Sequence, residues 1–151
     1  MATGIWQYLK HFTVNEKSES GGNAWGDYTK CNGLLLKILD EIRDISGFPI
    51  VVHCMYEPRD GSNSEHKRGN AVDFHMKGCT PQHAYNCIIK VLSKYNLVDK
   101  SGLGYYDWWV HRGWHLDLRG YKLRWLSVKS LNYVYDEKQM LASITKAGIV
   151  K

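Results

Sequence analysis

Residues 102–119, GLGYYDWWVHRGWHLDLR, carry the pattern that decides the fold. Segment 102–111 and segment 113–119 each read as a strand, being rich in aromatic and apolar residues, with a tight turn at Arg112-Gly113. Strands this close in sequence pair as an antiparallel hairpin, because a parallel pair needs a long crossover. Working outward, AVDFHM (71–76) reads as another strand, and FPIVVHCMY (48–56), apolar and β-branched, as a buried one. Between them residues 57–70 form a long polar loop. Residues 33–46, GLLLKILDEIRDIS, place Leu35, Leu39, Ile42 and Ile45 on one side at helical spacing, with Asp40, Glu41, Arg43 and Asp44 facing away. Gly47 and Pro49 stop that helix. Thr80-Pro81 starts a second, with Thr as cap and Pro at the first helical position, running to about Tyr95. Beyond Trp125 come a strand-like NYVYD and a short helical stretch, residues 137–147. Residues 13–29, polar and rich in Gly and Ser, read as a loop. The order predicts an α+β fold: a small antiparallel sheet with helices packed on one side.

A chain of 151 residues has room for one core, so a single domain over 1–151 is expected. The net charge of +5 favours an anionic partner. The basic residues are scattered, however, and no Lys/Arg run marks a nucleic-acid stripe, so no nucleic-acid partner is expected. Cys31, Cys54, Cys79 and Cys87 form no C-x-x-C pair and match no cysteine zinc spacing, which leaves reduced thiols as the expectation. The opening MATGIWQYLKHF lacks the apolar run of a signal peptide, and stretches such as Phe48 to Val52 are too short to span a bilayer. Synthesis in the cytoplasm, with no membrane insertion, is therefore expected.

Among seven histidines, His66 lies in the polar loop as it enters a strand, and His115 lies in the later hairpin. Asp73 sits between them in a strand. Two histidines and a carboxylate are the ligand set of many catalytic zinc sites, with a fourth position open for water. His53 reads as a core histidine, and His75 as a neighbour of Asp73 without a metal role. Trp108, Trp109 and Trp114 bracket the third ligand and are either cleft walls or core.

Residues 64–73 spell S-x-H-x-x-G-x-A-x-D, and His115-Leu-Asp117 spells H-x-D. This pairing resembles the zinc D-Ala-D-Ala metallopeptidases, in the clan that also holds lysostaphin and the Sonic hedgehog signalling domain. The resemblance covers about 34–125, leaving 126–151 as an extension that covers the sheet edge or meets a partner. It implies a hedgehog/D,D-peptidase-like fold and one Zn²⁺ held by His66, Asp73 and His115. Gly69 would give the tight turn into the strand, and Ser64 would hold the His66 loop or donate to a metal-bound group. The chemistry implied is hydrolysis of a peptide bond in peptidoglycan stem peptides or cross-links, with zinc lowering the pKa of water from 15.7 to roughly 7.

Many members of that family carry an acid three residues before the last histidine. That place is Arg112 here, which cannot act as a base. Asp117, His111 and Asp107 remain as candidate proton acceptors, with Asp117 alternatively orienting His115. By resemblance Arg59 would clamp a substrate carboxylate or stabilise an oxyanion, with Ser64 and Trp114 also contacting substrate. A phage lytic enzyme, released onto the cell wall or carried in a virion, fits this set of features. The alternative is a virion or binding module that kept the zinc site and lost catalysis.

Overall fold

The computed structural model describes residues 4–58 and 63–151. Three helices, α1 (Gly33–Ser46), α2 (Pro81–Lys94) and α3 (Glu137–Lys146), accompany six strands. The strands are β1 (Ile50–Cys54), β2 (Ala71–Met76), β3 (Gly102–Tyr106), β4 (Gly113–Asp117), β5 (Leu123–Lys129) and β6 (Asn132–Val134). They form one sheet in the order β1-β2-β4-β3-β5-β6.

The fold is α+β, as expected, but the sheet is mixed rather than antiparallel: β3 and β5 run parallel, with Gly102 opposite Leu123 and Tyr106 opposite Ser127. The segment after β4 arcs over the start of β3 instead of folding back beside β4. Two backbone bonds fix the arc, Gly120 N–H to the Lys100 carbonyl at 2.9 Å and Leu123 N–H to the Ser101 carbonyl at 3.1 Å. Strand β5 was not anticipated because its alternation is broken by Arg124. That side chain is buried and donates to the carbonyls of Ser101 (2.6 Å) and Val98 (2.7 Å). The β3–β4 hairpin forms, but its connection is the six-residue segment 107–112 rather than a tight turn at Arg112-Gly113.

Side-chain alternation assigns the two faces of the sheet. Val72, Phe74 and Met76 of β2, Leu103 and Tyr105 of β3, and Trp114 and Leu116 of β4 enter one core cluster with residues of all three helices. The intervening residues, among them Asp73, His75, Gly104, His115 and Asp117, face the other way. The extension beyond residue 125 belongs to this core, since Met140 and Ile144 of α3 are fully buried.

Helix α1 is capped at both ends, by the Asn32 side chain on Leu35 N–H (3.0 Å) and by Gly47 in the left-handed region. Its wheel departs from the expected one at two places. Ile45 is exposed, whereas Asp40 is buried and accepts the backbone N–H groups of Lys10 (3.0 Å) and His11 (2.9 Å). The N-terminal arm thus lies along the helix and uses a carboxylate as its anchor. In α2 the Thr80 hydroxyl accepts from His83 N–H at 3.2 Å, with Pro81 first in the helix.

Candidate functional site

The S-x-H-x-x-G-x-A-x-D stretch is a short 3₁₀ turn running into β2. The Ser64 hydroxyl accepts His66 N–H at 3.2 Å, capping the turn Glu65–Arg68. Gly69 ends it at φ +67°, where an added Cβ would overlap the Lys30 carbonyl, so both the conformation and the space require glycine. Asn70 then ties the turn to the sheet by donating to the Glu65 carboxylate (2.8 Å) and the Leu118 carbonyl (2.9 Å).

This turn delivers His66 to Asp73, while strand pairing places His115 directly opposite Asp73. Asp73 Oδ1 lies 3.2 Å from His66 Nε2 and 2.9 Å from His115 Nδ1. The far nitrogen of each ring is already committed. His66 Nδ1 donates to the Met55 carbonyl at 2.8 Å, and His115 Nε2 donates to Asp117 Oδ2 at 2.7 Å. With those protons assigned, a neutral His66 and a neutral His115 each turn a lone pair toward the same carboxylate oxygen. Each of these two contacts needs a proton or a cation between its atoms.

Without a metal, protons take that role. Burial disfavours a charged His66, but its hydrogen bonds to Asp73 and Cys54 and the Asp73 charge outweigh burial and raise its pKa to about 10. His115 is likewise held up, to about 9, against burial, by Asp117 and Asp73. Burial works to raise the Asp73 pKa, yet hydrogen bonds from His115 and His66 keep it well below the usual carboxylate range. Among the described residues, Cys54, His66 and Asp73 form a group that could hold a metal ion, with His115 hydrogen-bonded to Asp73 beside it. The Cys54 thiol is 3.7 Å from His66 Nδ1, on the side of the ring that meets the Met55 carbonyl, and 3.6 Å from Asp73 Oδ2. Sequence spacing gave no hint of Cys54, because the β1–β2 pairing that brings it there carries a bulge.

Asp117 is fully buried and saturated. Oδ1 accepts from the N–H groups of Gly102 (3.1 Å) and Arg119 (3.2 Å) and from Arg119 Nε (2.8 Å). Oδ2 accepts from Arg119 Nη2 (2.6 Å) and His115. The G-x-G of β3 makes this arrangement fit: a Cβ on Gly102 would strike the Asp117–Arg119 pair, and one on Gly104 would overlap the Trp125 indole. Trp125 in turn packs against His115, ring centroids 5.2 Å apart.

The cluster lies in a cavity of about 550 Å³ on the open face of the sheet. Ser64, Glu65, Arg119 and aromatic rings from Tyr106, Trp109 and Tyr133 are among its walls. Other residues singled out in the sequence are elsewhere. Trp114, expected at the substrate, is core: as the neighbour of His115 on β4 it points to the opposite face, against Tyr105. His111 stacks on His75 at 4.7 Å and is not part of the cavity wall. Asp107 accepts from the Tyr105 hydroxyl at 3.0 Å and lines a different depression. Arg112, which stands three residues before His115, turns away and donates to the Gly148 carbonyl at 3.0 Å. Arg59 lies outside the described residues.

Compared with known proteins, the chain matches no family model, no curated protein and no solved structure. Among the described residues, no helix is long and apolar enough to cross a membrane.

Proposed function

We propose that the chain is a zinc-dependent peptidase acting on peptidoglycan stem peptides, of the zinc D-Ala-D-Ala metallopeptidase kind and of hedgehog/D,D-peptidase-like fold. The observation that carries this reading is Asp73 Oδ1 lying 3.2 Å from His66 Nε2 and 2.9 Å from His115 Nδ1 in a cavity of about 550 Å³. Burial pushes the Cys54 thiol up and keeps it protonated, so two imidazoles and one carboxylate leave a position open, which suits a catalytic rather than a structural zinc. Bound there, zinc would polarise the scissile carbonyl and make a bound water acidic near neutral pH.

The chain's own residues supply the rest. Met55 and Asp117 fix the two ring orientations from behind. Arg119, held by Asp117, places a permanent positive charge on the cavity wall, suited to a terminal carboxylate or to charge developing on the carbonyl oxygen. This is the role the sequence resemblance gave to Arg59. Glu65 is the other carboxylate on the wall beside Asp73. It is steadied by Arg68 (2.8 Å) and Asn70, and each carboxylate oxygen keeps a second lone pair with which to accept the water proton. Aromatic walls offer apolar faces to the stem peptide or to the adjoining sugar.

The deciding experiment is incubation of zinc-loaded protein with purified sacculi, following new amino groups. The expected result is release that EDTA stops and zinc restores, and that Glu65→Gln and His115→Ala lose. Zinc bound at this centre without any release would overturn the enzymatic reading. It would favour a zinc-binding virion component, which the displacement of Arg112, His111 and Asp107 from the cavity also suits.

A further inference from the structure

We propose that Glu19, His53 and His75 form a second divalent-cation site, separate from the His66–Asp73–His115 centre and independent of the peptidase reading. Three segments distant in sequence build it. His53 comes from the bulged part of β1, His75 from β2 on the same face as Asp73, and Glu19 from the turn closed by the Lys17–Asn23 bridge. Their ligand atoms form a closed triangle. His53 Nε2 is 2.7 Å from His75 Nδ1 and 2.8 Å from Glu19 Oε1, and His75 Nδ1 is 3.1 Å from the same oxygen.

Protons cannot satisfy that triangle. Each ring nitrogen carries at most one hydrogen. If both donate to Glu19, two N–H groups confront each other across the 2.7 Å edge. If His53 donates to His75 instead, His75 Nδ1 carries no hydrogen and meets the carboxylate oxygen at 3.1 Å with no proton between them. A single cation answers all three edges at once. An ion at the usual ligand distance of about 2.0–2.1 Å from each atom would sit about 1.2 Å above the plane of this triangle, leaving a further position for water. Imidazole and carboxylate donors suit zinc first, with nickel, cobalt and copper as competitors.

The surroundings hold the rings in place. His75 is buried, and the His111 ring stacks on it at 4.7 Å, nearly parallel. Trp109 packs on His53 at 5.0 Å and on Tyr106 at 4.3 Å, so one indole separates this cluster from the peptide-sized cavity. Asp73 and His75 are alternate residues of β2, so their Cα atoms are about 7 Å apart. Two-metal catalytic pairs sit roughly 3.5–4 Å apart, closer than the Cα spacing of these two ligands. The ligand sets also share no residue. The second ion would therefore act as a clamp, fastening the Glu19 turn onto β1, an edge strand of the sheet.

The test is zinc stoichiometry of the purified protein, stripped with chelator, reloaded with zinc alone and desalted. The expected result is two zinc ions per chain. Glu19→Ala and His53→Ala should each leave one, weakening the second site by more than about 100-fold, beyond what loss of an outer partner causes. His115→Ala should also leave one, and His115→Ala combined with Glu19→Ala none. The Glu19 side chain is 42% exposed and outside the apolar core, so its variant keeps the fold, and zinc should slow proteolysis within residues 13–29 in the wild type but not in Glu19→Ala. A wild-type chain that binds one zinc and keeps it in both Glu19→Ala and His53→Ala overturns the proposal. One zinc lost only with Glu19→Ala or His53→Ala upholds it and overturns the peptidase centre instead.

Discussion

Replacing Asp117 with Asn changes one atom and separates two roles for this residue. In the native chain Oδ2 receives both the His115 Nε2 proton and the Arg119 Nη2 proton. The amide keeps one oxygen, which Gly102, Arg119 N–H and Arg119 Nε already occupy on the other side. Its NH₂ group then confronts two donors. His115 relieves this by moving its hydrogen from Nε2 to Nδ1, the nitrogen that faces Asp73. That tautomer cannot ligate through Nδ1. Loss of such an orienting partner weakens metal binding by about 10–100-fold, or about 1.4–2.8 kcal/mol. Competition against a chromophoric chelator at pH 7.5 measures it, alongside urea unfolding of the metal-free protein to show that the variant is folded. Unchanged zinc affinity in Asp117→Asn would refute the orienting argument. Unchanged affinity with hydrolysis abolished would make Asp117 the proton acceptor instead.

Four further outcomes are expected. Gly104→Ala drives a methyl group into the Trp125 indole and should cost about 1–3 kcal/mol in urea unfolding while loosening zinc, because Trp125 packs on His115. Asp40→Ala strands the N–H groups of Lys10 and His11 and should cost about 1–3 kcal/mol, with faster proteolysis of the N-terminal arm. Burial pushes the Cys31 thiol up to about 12, so its contribution to stability is complete below pH 9 and disappears as pH rises from 9 toward 12. Urea midpoints across that range should fall less in Cys31→Ala, and iodoacetamide at pH 8.5 should label Cys31 only after unfolding. Arg112→Ala should leave zinc affinity and any hydrolysis unchanged, since Arg112 faces Gly148 rather than the cavity; a large loss in either assay would place it at the site.

Local patterns were legible where one residue's chemistry acts on its neighbours. The cap at Thr80, the stop at Gly47 and the limits of α1 and β2 follow from propensity and hydrogen-bonding capacity over a few residues, whereas the Asn32 cap of α1 was seen only in the structure. The candidates His66, Asp73 and His115 came from the motif spelling, since alternation places Asp73 and His115 in strands but says nothing of His66, which lies in a 3₁₀ turn. Pairing between distant segments was not legible. Nothing local shows that residues 118–122 cross the head of β3, that β5 therefore runs parallel to it, or that Asp40 anchors the arm. Cys54 reached the metal group through a bulge, and Glu19 met His53 and His75 across a long loop. The sequence determined the extent and the period of the local elements, though not the burial of Asp40, the exposure of Ile45 or the face of Trp114. Only the tertiary structure decided which faces meet, because strand order and the path of a loop depend on the closing of the whole sheet and core.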